Sequence, residues 1–254
     1  MKTNTFLIFA AAFAAAIHST NAQLIINGSF ETPDTHTYVN IYPGQNTIAP
    51  WVVGLHTVEV GDGILNGFMT VAAFEGAQFL DLNGLGRGRL TQAFATTPGA
   101  LYTFTFAYAN NFHADPSSTA SARVRVFDGL GNRLNQTINH TGSVNGDLHW
   151  KVFNGQFTAV TNTTSLEFTS LTDVNGYSGG IILDAVQVAL ALRATLVLQD
   201  AGATLNWTGG VPPYRVQRAT DLTSGDWTDV STNAVPPVTM PIERGAEFYR
   251  IVGQ

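Results

Sequence analysis

The chain has 254 residues, 44% hydrophobic and 12% charged, with 25 glycines, 16 phenylalanines and no cysteine. Its formal net charge is −6, and Lys2 and Lys151 are its only lysines. This composition excludes disulfides, thiol catalysis and cysteine-ligated zinc, argues against a disordered chain, and argues against nucleic acid or an anionic membrane as partner, since phosphate binding needs a positive surface.

Residues 1–22 read as a signal peptide. Lys2 gives a weak positive start, an apolar run extends from Phe6 to Ile17, and Thr20-Asn21-Ala22 supplies small residues at the cleavage positions. The run is short for a membrane span, so the expectation is a secreted, extracellular chain that starts at Gln23 and has no membrane anchor.

The next segment, Leu24-Ile25-Ile26-Asn27-Gly28-Ser29-Phe30-Glu31, reads as a first strand that turns polar and carries a carboxylate past its end. Strand signals then dominate to residue 190. Leu101–Tyr108 alternates Thr or Ala with aromatics, Ala122–Phe127 alternates charge with Val, and Lys151–Phe157 and Ser165–Thr169 follow the same period of two. Thr97-Pro98-Gly99, Asp128–Asn132, Asn145-Gly146-Asp147 and Asn175–Gly180 read as turns, because Gly and Asn accept positive φ at low cost. Gly180–Val188 is a last apolar strand, expected beside the first, with Glu31 and Asp184 brought near one another. No helical period persists, and many short strands indicate an antiparallel sandwich or jelly roll.

The pattern changes near residue 190. Thr195–Leu198, Ala203–Trp207, Tyr214–Ala219, Trp227–Val230 and Glu247–Val252 are short strands punctuated by Pro212-Pro213 and Pro236-Pro237. They predict a second, smaller β-domain over 195–254 after a first over 23–190.

Taken in order, Leu24–Glu31, Ile48-Ala49-Pro50-Trp51, Val58-Glu59-Val60, Gln78–Gly84, Leu90–Phe94, Pro98–Tyr102 and Leu183–Val186 resemble the bacterial choice-of-anchor C extracellular proteins and the plant cell-wall proteins built on galactose-binding-like domains. The resemblance implies an all-β fold: a galactose-binding-like jelly-roll β-sandwich of the kind used by carbohydrate-binding modules. It also implies a structural calcium between Glu31 and Asp184. Residues 195–254 are similar to small fibronectin-type-III-like modules through Leu205-Asn206-Trp207, Tyr214–Arg218, Trp227 and Phe248-Tyr249-Arg250. The chain departs from the choice-of-anchor pattern, since no hydrophobic anchor follows its sandwich.

Several residues carry chemistry. Calcium needs hard oxygens, which Glu31 and Asp184 supply; the alternative is two carboxylates that bond backbone amides. Asp81 and Asn83 fall on one face and either hydrogen-bond sugar hydroxyls or shape an Asn-Gly turn. Among the aromatics in or beside loops (Trp51, Phe74, Phe112, Trp150 and Tyr177), Tyr177 and Phe112 have the most polar surroundings and are the stronger sugar platforms, with Trp150 a further candidate, whereas Trp51 is expected in the core. The histidines show no metal spacing. Glu59, Glu75 and Glu167 are the carboxylates a glycosidase pair would draw on, but nothing in their setting selects two. The sequence therefore points to a non-catalytic carbohydrate-binding protein whose partner is a polysaccharide or other glycan at a cell wall. The alternative is a structural or adhesive protein that binds another protein through its β-modules.

Overall fold

The computed structural model describes residues 24–65, 69–113, 117–173, 179–199, 202–210, 212–241 and 247–253. They form two compact units, Leu24–Val188 and the chain from Ala189 onward. Residues 1–23, with the expected signal peptide, and Tyr177 lie outside the described residues.

The first strands are β1 (Val39–Ile41), β2 (Val52–Leu55), β3 (Val58–Asp62), β4 (Ile64–Leu65), β5 (Met69–Thr70), β6 (Gln78–Asp81) and β7 (Gly88–Ala95). They continue as β8 (Leu101–Asn110), β9 (Ala120–Asp128), β10 (Gly131–His140), β11 (Lys151–Thr158), β12 (Thr163–Ser170) and β13 (Ile181–Leu190). Two antiparallel sheets result: a six-stranded one ordered β1-β3-β6-β13-β8-β11 and a five-stranded one ordered β10-β9-β12-β7-β2. The alternation in the sequence makes this a sandwich. Phe104, Phe106, Leu80 and Ile181 of the first sheet and Leu90, Val124, Val126 and Phe168 of the second are all almost fully buried. Phe106 meets Phe168 edge-on across the interface at 4.9 Å, and Phe94 meets Phe157 at 6.2 Å. Each such side chain contributes about 1.5–3 kcal/mol of hydrophobic free energy. As expected, Trp51 belongs to this core, 1% exposed beside Phe30 and Phe168.

The expected first strand is the main departure. Leu24–Phe30 runs along β13, with Leu24 N–H donating to Val188 O and Val186 N–H to Gly28 O. No ladder forms, because Asn27 and Phe30 adopt left-handed φ of 55° and 60°. A buried side chain stands in for a neighbouring strand. Gln92 of β7 accepts from Ile26 N–H at 2.8 Å and donates to Ile26 O at 2.9 Å. Gly28 is required here by close approach, since a Cβ at this position would stand 1.9 Å from Val186 O. Gly28→Ala is therefore expected to cost about 2–3 kcal/mol, read as a lower urea midpoint at unchanged slope; an unaltered midpoint would show that β13 and the first segment part easily.

The second unit holds β14 (Arg193–Gln199), β15 (Gly202–Thr208), β16 (Tyr214–Ala219), β17 (Thr228–Ala234), β18 (Val238–Met240) and β19 (Phe248–Gly253). They form two three-stranded antiparallel sheets, β14-β15-β18 and β17-β16-β19. Leu205, Trp207, Val216, Ala234, Met240 and Ile251 fill its core.

Candidate functional site

In the six-stranded sheet, Asn40, Glu59, Asp81 and Ile182 occupy one row across β1, β3, β6 and β13. Neighbours in a row point to the same side. Inward-facing Val58, Val60 and Leu80 alternate with this row, so it belongs to the face turned away from the sandwich core. On that face a second apolar cluster forms from Val71, Phe79, Ala109, Phe112, Leu148 and Ile182. Tyr38 and Trp150 pack against it and stay partly exposed. Phe74, 41% exposed, meets Trp150 edge-on at 6.1 Å, and the Trp150 indole donates to Ala72 O at 3.1 Å.

The polar part of this face is tightly coupled. Asp81 is 2% exposed and accepts from Asn83 N–H at 2.7 Å, Gly180 N–H at 3.2 Å and Asn111 Nδ2 at 2.6 Å. Burial is the largest influence on its carboxyl and pushes it up to about 7; the three donors oppose the shift and Glu59 adds to it. Burial likewise raises Glu59, against the hydrogen bond from Asn40. The Tyr38 phenol is pushed up to about 12, first by burial and then by Glu59, Asp62 and Asp81. Tyr38 Oη, Asn40 Oδ1 and Asn83 Oδ1 are buried atoms without a hydrogen-bond partner among the described residues, an unusual concentration for native packing.

Three expectations change here. Asp81 and Asn83 share a face as the alternation requires, but at 2% and 5% exposed they are shielded from direct sugar contact and shape the turn after β6 instead. Phe112 is 9% exposed, because the outer face offers it the apolar surface of Phe79, Ala109 and Ile182. Of the expected aromatic platforms among the described residues, Trp150 has its ring partly exposed on this face and Phe112 does not. Reading the sequence missed Tyr38 and Asn40. The alternation Tyr38-Val39-Asn40-Ile41 is the signal, but four residues make a weak strand pattern.

Glu31 and Asp184 grip one loop from its two ends. Asp184, fully buried, accepts from Phe74 and Glu75 N–H at 2.8 and 2.9 Å through Oδ2, and from its neighbour Ala185 N–H through Oδ1. Glu31 Oε1 accepts from Ala77 and Gln78 N–H at 2.9 and 2.7 Å. Burial raises the Asp184 carboxyl to about 8 against the three amides. Ala185 is left-handed at φ 50°, a local strain where the last strand carries its carboxylate. Gly76 leaves room beside Glu31, as a Cβ there would stand 2.4 Å from Oε1. Neither carboxylate has a basic side chain in salt-bridge contact among the described residues. Both are hard-oxygen donors of the kind calcium takes, and each is held by backbone amides of the same loop.

Asp34, His36 and Asp62 also present ligand atoms within 4.8 Å of one another at the surface, and no second feature ties this group to an ion. The glutamates that a glycosidase would draw on are dispersed. Glu59 lies on the outer face of the six-stranded sheet, and Glu167 pairs across β12 with Thr91 and Arg125 on the outer face of the five-stranded one. The two therefore cannot share a substrate.

A family model described as "Protein of unknown function (DUF642)" matches residues 23–189. Among solved structures, the chain is similar to TmCBM61, described in complex with β-1,4-galactotriose, at 15% identity over 65% of this chain and 97% of that one, with a TM-score of 0.43. It is similar to a family 35 carbohydrate-binding module from Clostridium thermocellum at 14% identity over 60% of this chain and 97% of that one, with a TM-score of 0.35. An Arthrobacter globiformis T6 isomaltodextranase complexed with panose shows 16% identity over 61% of this chain and 24% of that one, with a TM-score of 0.37. No curated protein matches the chain. Because the matched segment spans most of its length, the chain belongs to the DUF642 family.

Proposed function

We propose that this protein is a secreted, non-catalytic carbohydrate-binding β-sandwich that acts on a cell-wall or other extracellular polysaccharide, with calcium holding its scaffold. The observation that carries this reading is the outer face of the six-stranded sheet. Partly exposed Tyr38, Phe74 and Trp150 rings share it with Asn40, Glu59 and Asn111. A sugar offers a C–H face to an aromatic ring and hydroxyls to planar amides and carboxylates, and this surface provides both. The Asp81 oxygens are occupied by three protein donors, so its role is to order the face and not to transfer protons. Calcium would be held by Glu31 and Asp184 and would supply the countercharge that fixes the loop Phe74–Gln78 against the last strand.

The test is retention of the purified mature chain on an array of plant, algal and bacterial polysaccharides, with calcium present. Wild type is expected to bind one glycan class, and Trp150→Ala and Glu59→Gln should each weaken that binding roughly tenfold, about 1.4 kcal/mol. A folded, calcium-loaded chain that binds no glycan would overturn the reading and direct the search to protein partners.

A further inference from the structure

The opposite side of the sandwich carries a charge pattern that the sequence totals conceal. Residues 24–188 contain twelve acidic and six basic side chains. Three of the six, Arg89, Arg123 and Arg125, lie together on the outer face of the five-stranded sheet. The register gives two adjacent rows. One runs Thr137, Arg123, Thr169, Arg89, Gly54 and the next Asn135, Arg125, Glu167, Thr91, Val52, each across β10, β9, β12, β7 and β2.

Glu167 is the one carboxylate in these rows. It is 3% exposed, with Arg125 Nη2 at 3.1 and 3.2 Å from its two oxygens and Arg89 Nε at 3.8 Å. Three arginines and one carboxylate share these two rows, which leaves a positive excess. Arg123 has no carboxylate partner among the described residues, and its Nε is a buried atom without a hydrogen bond.

The guanidiniums are held in place before any ligand arrives. Arg125 stacks on Phe127 with its Cζ 4.1 Å from the ring centre. Arg89 lies flat over Gly54, where a Cβ would stand 2.8 Å from Nε and Nη2. Little side-chain entropy remains to be lost on binding.

We propose that this face binds a carboxylated polysaccharide, such as a uronate polymer. The proposal rests on the arginine rows alone and not on the aromatic face of the other sheet. A guanidinium pairs with a carboxylate through two parallel hydrogen bonds, which neither a neutral sugar nor its ester can reproduce. The interleaved Thr137, Thr169, Thr91 and Asn135 offer hydroxyl and amide partners for sugar hydroxyls. Arg123 and Arg89 stand on strands separated by β12, about 10 Å apart at the usual strand spacing. One carboxylate cannot bridge that distance, so an extended chain with repeated carboxylates gains from multivalency where a monosaccharide does not.

The test is calorimetric titration of the full mature chain with a soluble oligogalacturonate, its methyl ester and monomeric galacturonate. The acid oligomer is expected to bind, and added sodium chloride should weaken it. The ester and the monomer should each bind at least roughly tenfold more weakly. Arg123→Gln and Arg89→Gln should each lower affinity for the acid oligomer roughly fivefold to tenfold, and Arg123→Lys should lose less than Arg123→Gln. If Arg123→Gln does not fold, Arg89→Gln and Arg123→Lys carry the comparison. Equal affinity for acid and ester, indifference to the arginine substitutions, binding to single-stranded DNA as tight as to the acid oligomer, or no binding by the folded chain would each overturn the proposal.

Discussion

Raising the pH from 4 to 8 should destabilise the first unit, and Asp81→Asn should remove the share that Asp81 contributes. The ordinary carboxyl value is 3.8, and burial lifts Asp81 to about 7 in the folded chain. Between these values the native state holds a proton that the unfolded chain has released. Raising the pH through that window therefore favours unfolding. The contribution of Asp81 is complete below about 3.8 and is lost as the pH passes 7. Three units correspond to on the order of 4 kcal/mol, a large share of the 5–15 kcal/mol typical of a domain. Glu59, its row neighbour on β3, is itself raised and acts in the same direction, whereas the Tyr38 phenol, just before β1, stays neutral throughout and adds nothing in this window. Asn in place of Asp keeps an oxygen to accept from Asn83 and Gly180 and has no proton to lose. Urea denaturation of both proteins at several pH values reads the difference directly. Parallel pH profiles for wild type and Asp81→Asn would refute this assignment.

Adding calcium to chelator-treated protein should raise its unfolding midpoint, and Glu31→Gln or Asp184→Asn should abolish most of the rise. A ligand that binds only the native state adds RT ln(1 + [L]/Kd), about 4 kcal/mol at a thousandfold excess over Kd. For a domain of this size that amounts to roughly 8–16 °C. The physical reason lies in the cost of the apo site. Asp184 is fully buried with no basic side chain paired to it among the described residues, so its charged form stays costly even with three amides donating to it. A divalent ion shared with Glu31 would remove that cost and fasten the loop Phe74–Gln78 to both ends of the unit. Magnesium should do less, since it demands a tighter octahedral shell. The decisive quantity is the calcium-dependent shift within each variant, because either substitution also weakens amide contacts. A wild-type midpoint indifferent to calcium would leave both carboxylates as caps of backbone amides and nothing more.

Period-two alternation determined the β-rich character of this chain and most of its strands. Leu101–Tyr108, Ala122–Phe127, Lys151–Phe157 and Ser165–Thr169 are strands because one side of each is apolar and packs inward. The turn at Asp128–Asn132 was equally legible, since Gly131 takes a φ of 121° that few other residues accept. The side-by-side course of the first and last segments was also readable, but the first is no strand. That difference follows from two left-handed residues and the Gln92 side chain, which no periodicity announces.

Burial of polar groups was beyond the sequence. Asp81, Asn83 and Phe112 sit in segments that look like exposed turns, and they are buried because the outer face of the six-stranded sheet carries its own apolar cluster. The gathering of Arg89, Arg123 and Arg125 was equally invisible. A net charge of −6 argues against an anionic partner only when charge is spread evenly. Three arginines from strands far apart in sequence become neighbours through β-pairing, because register across a sheet is set by long-range hydrogen bonds and not by local composition.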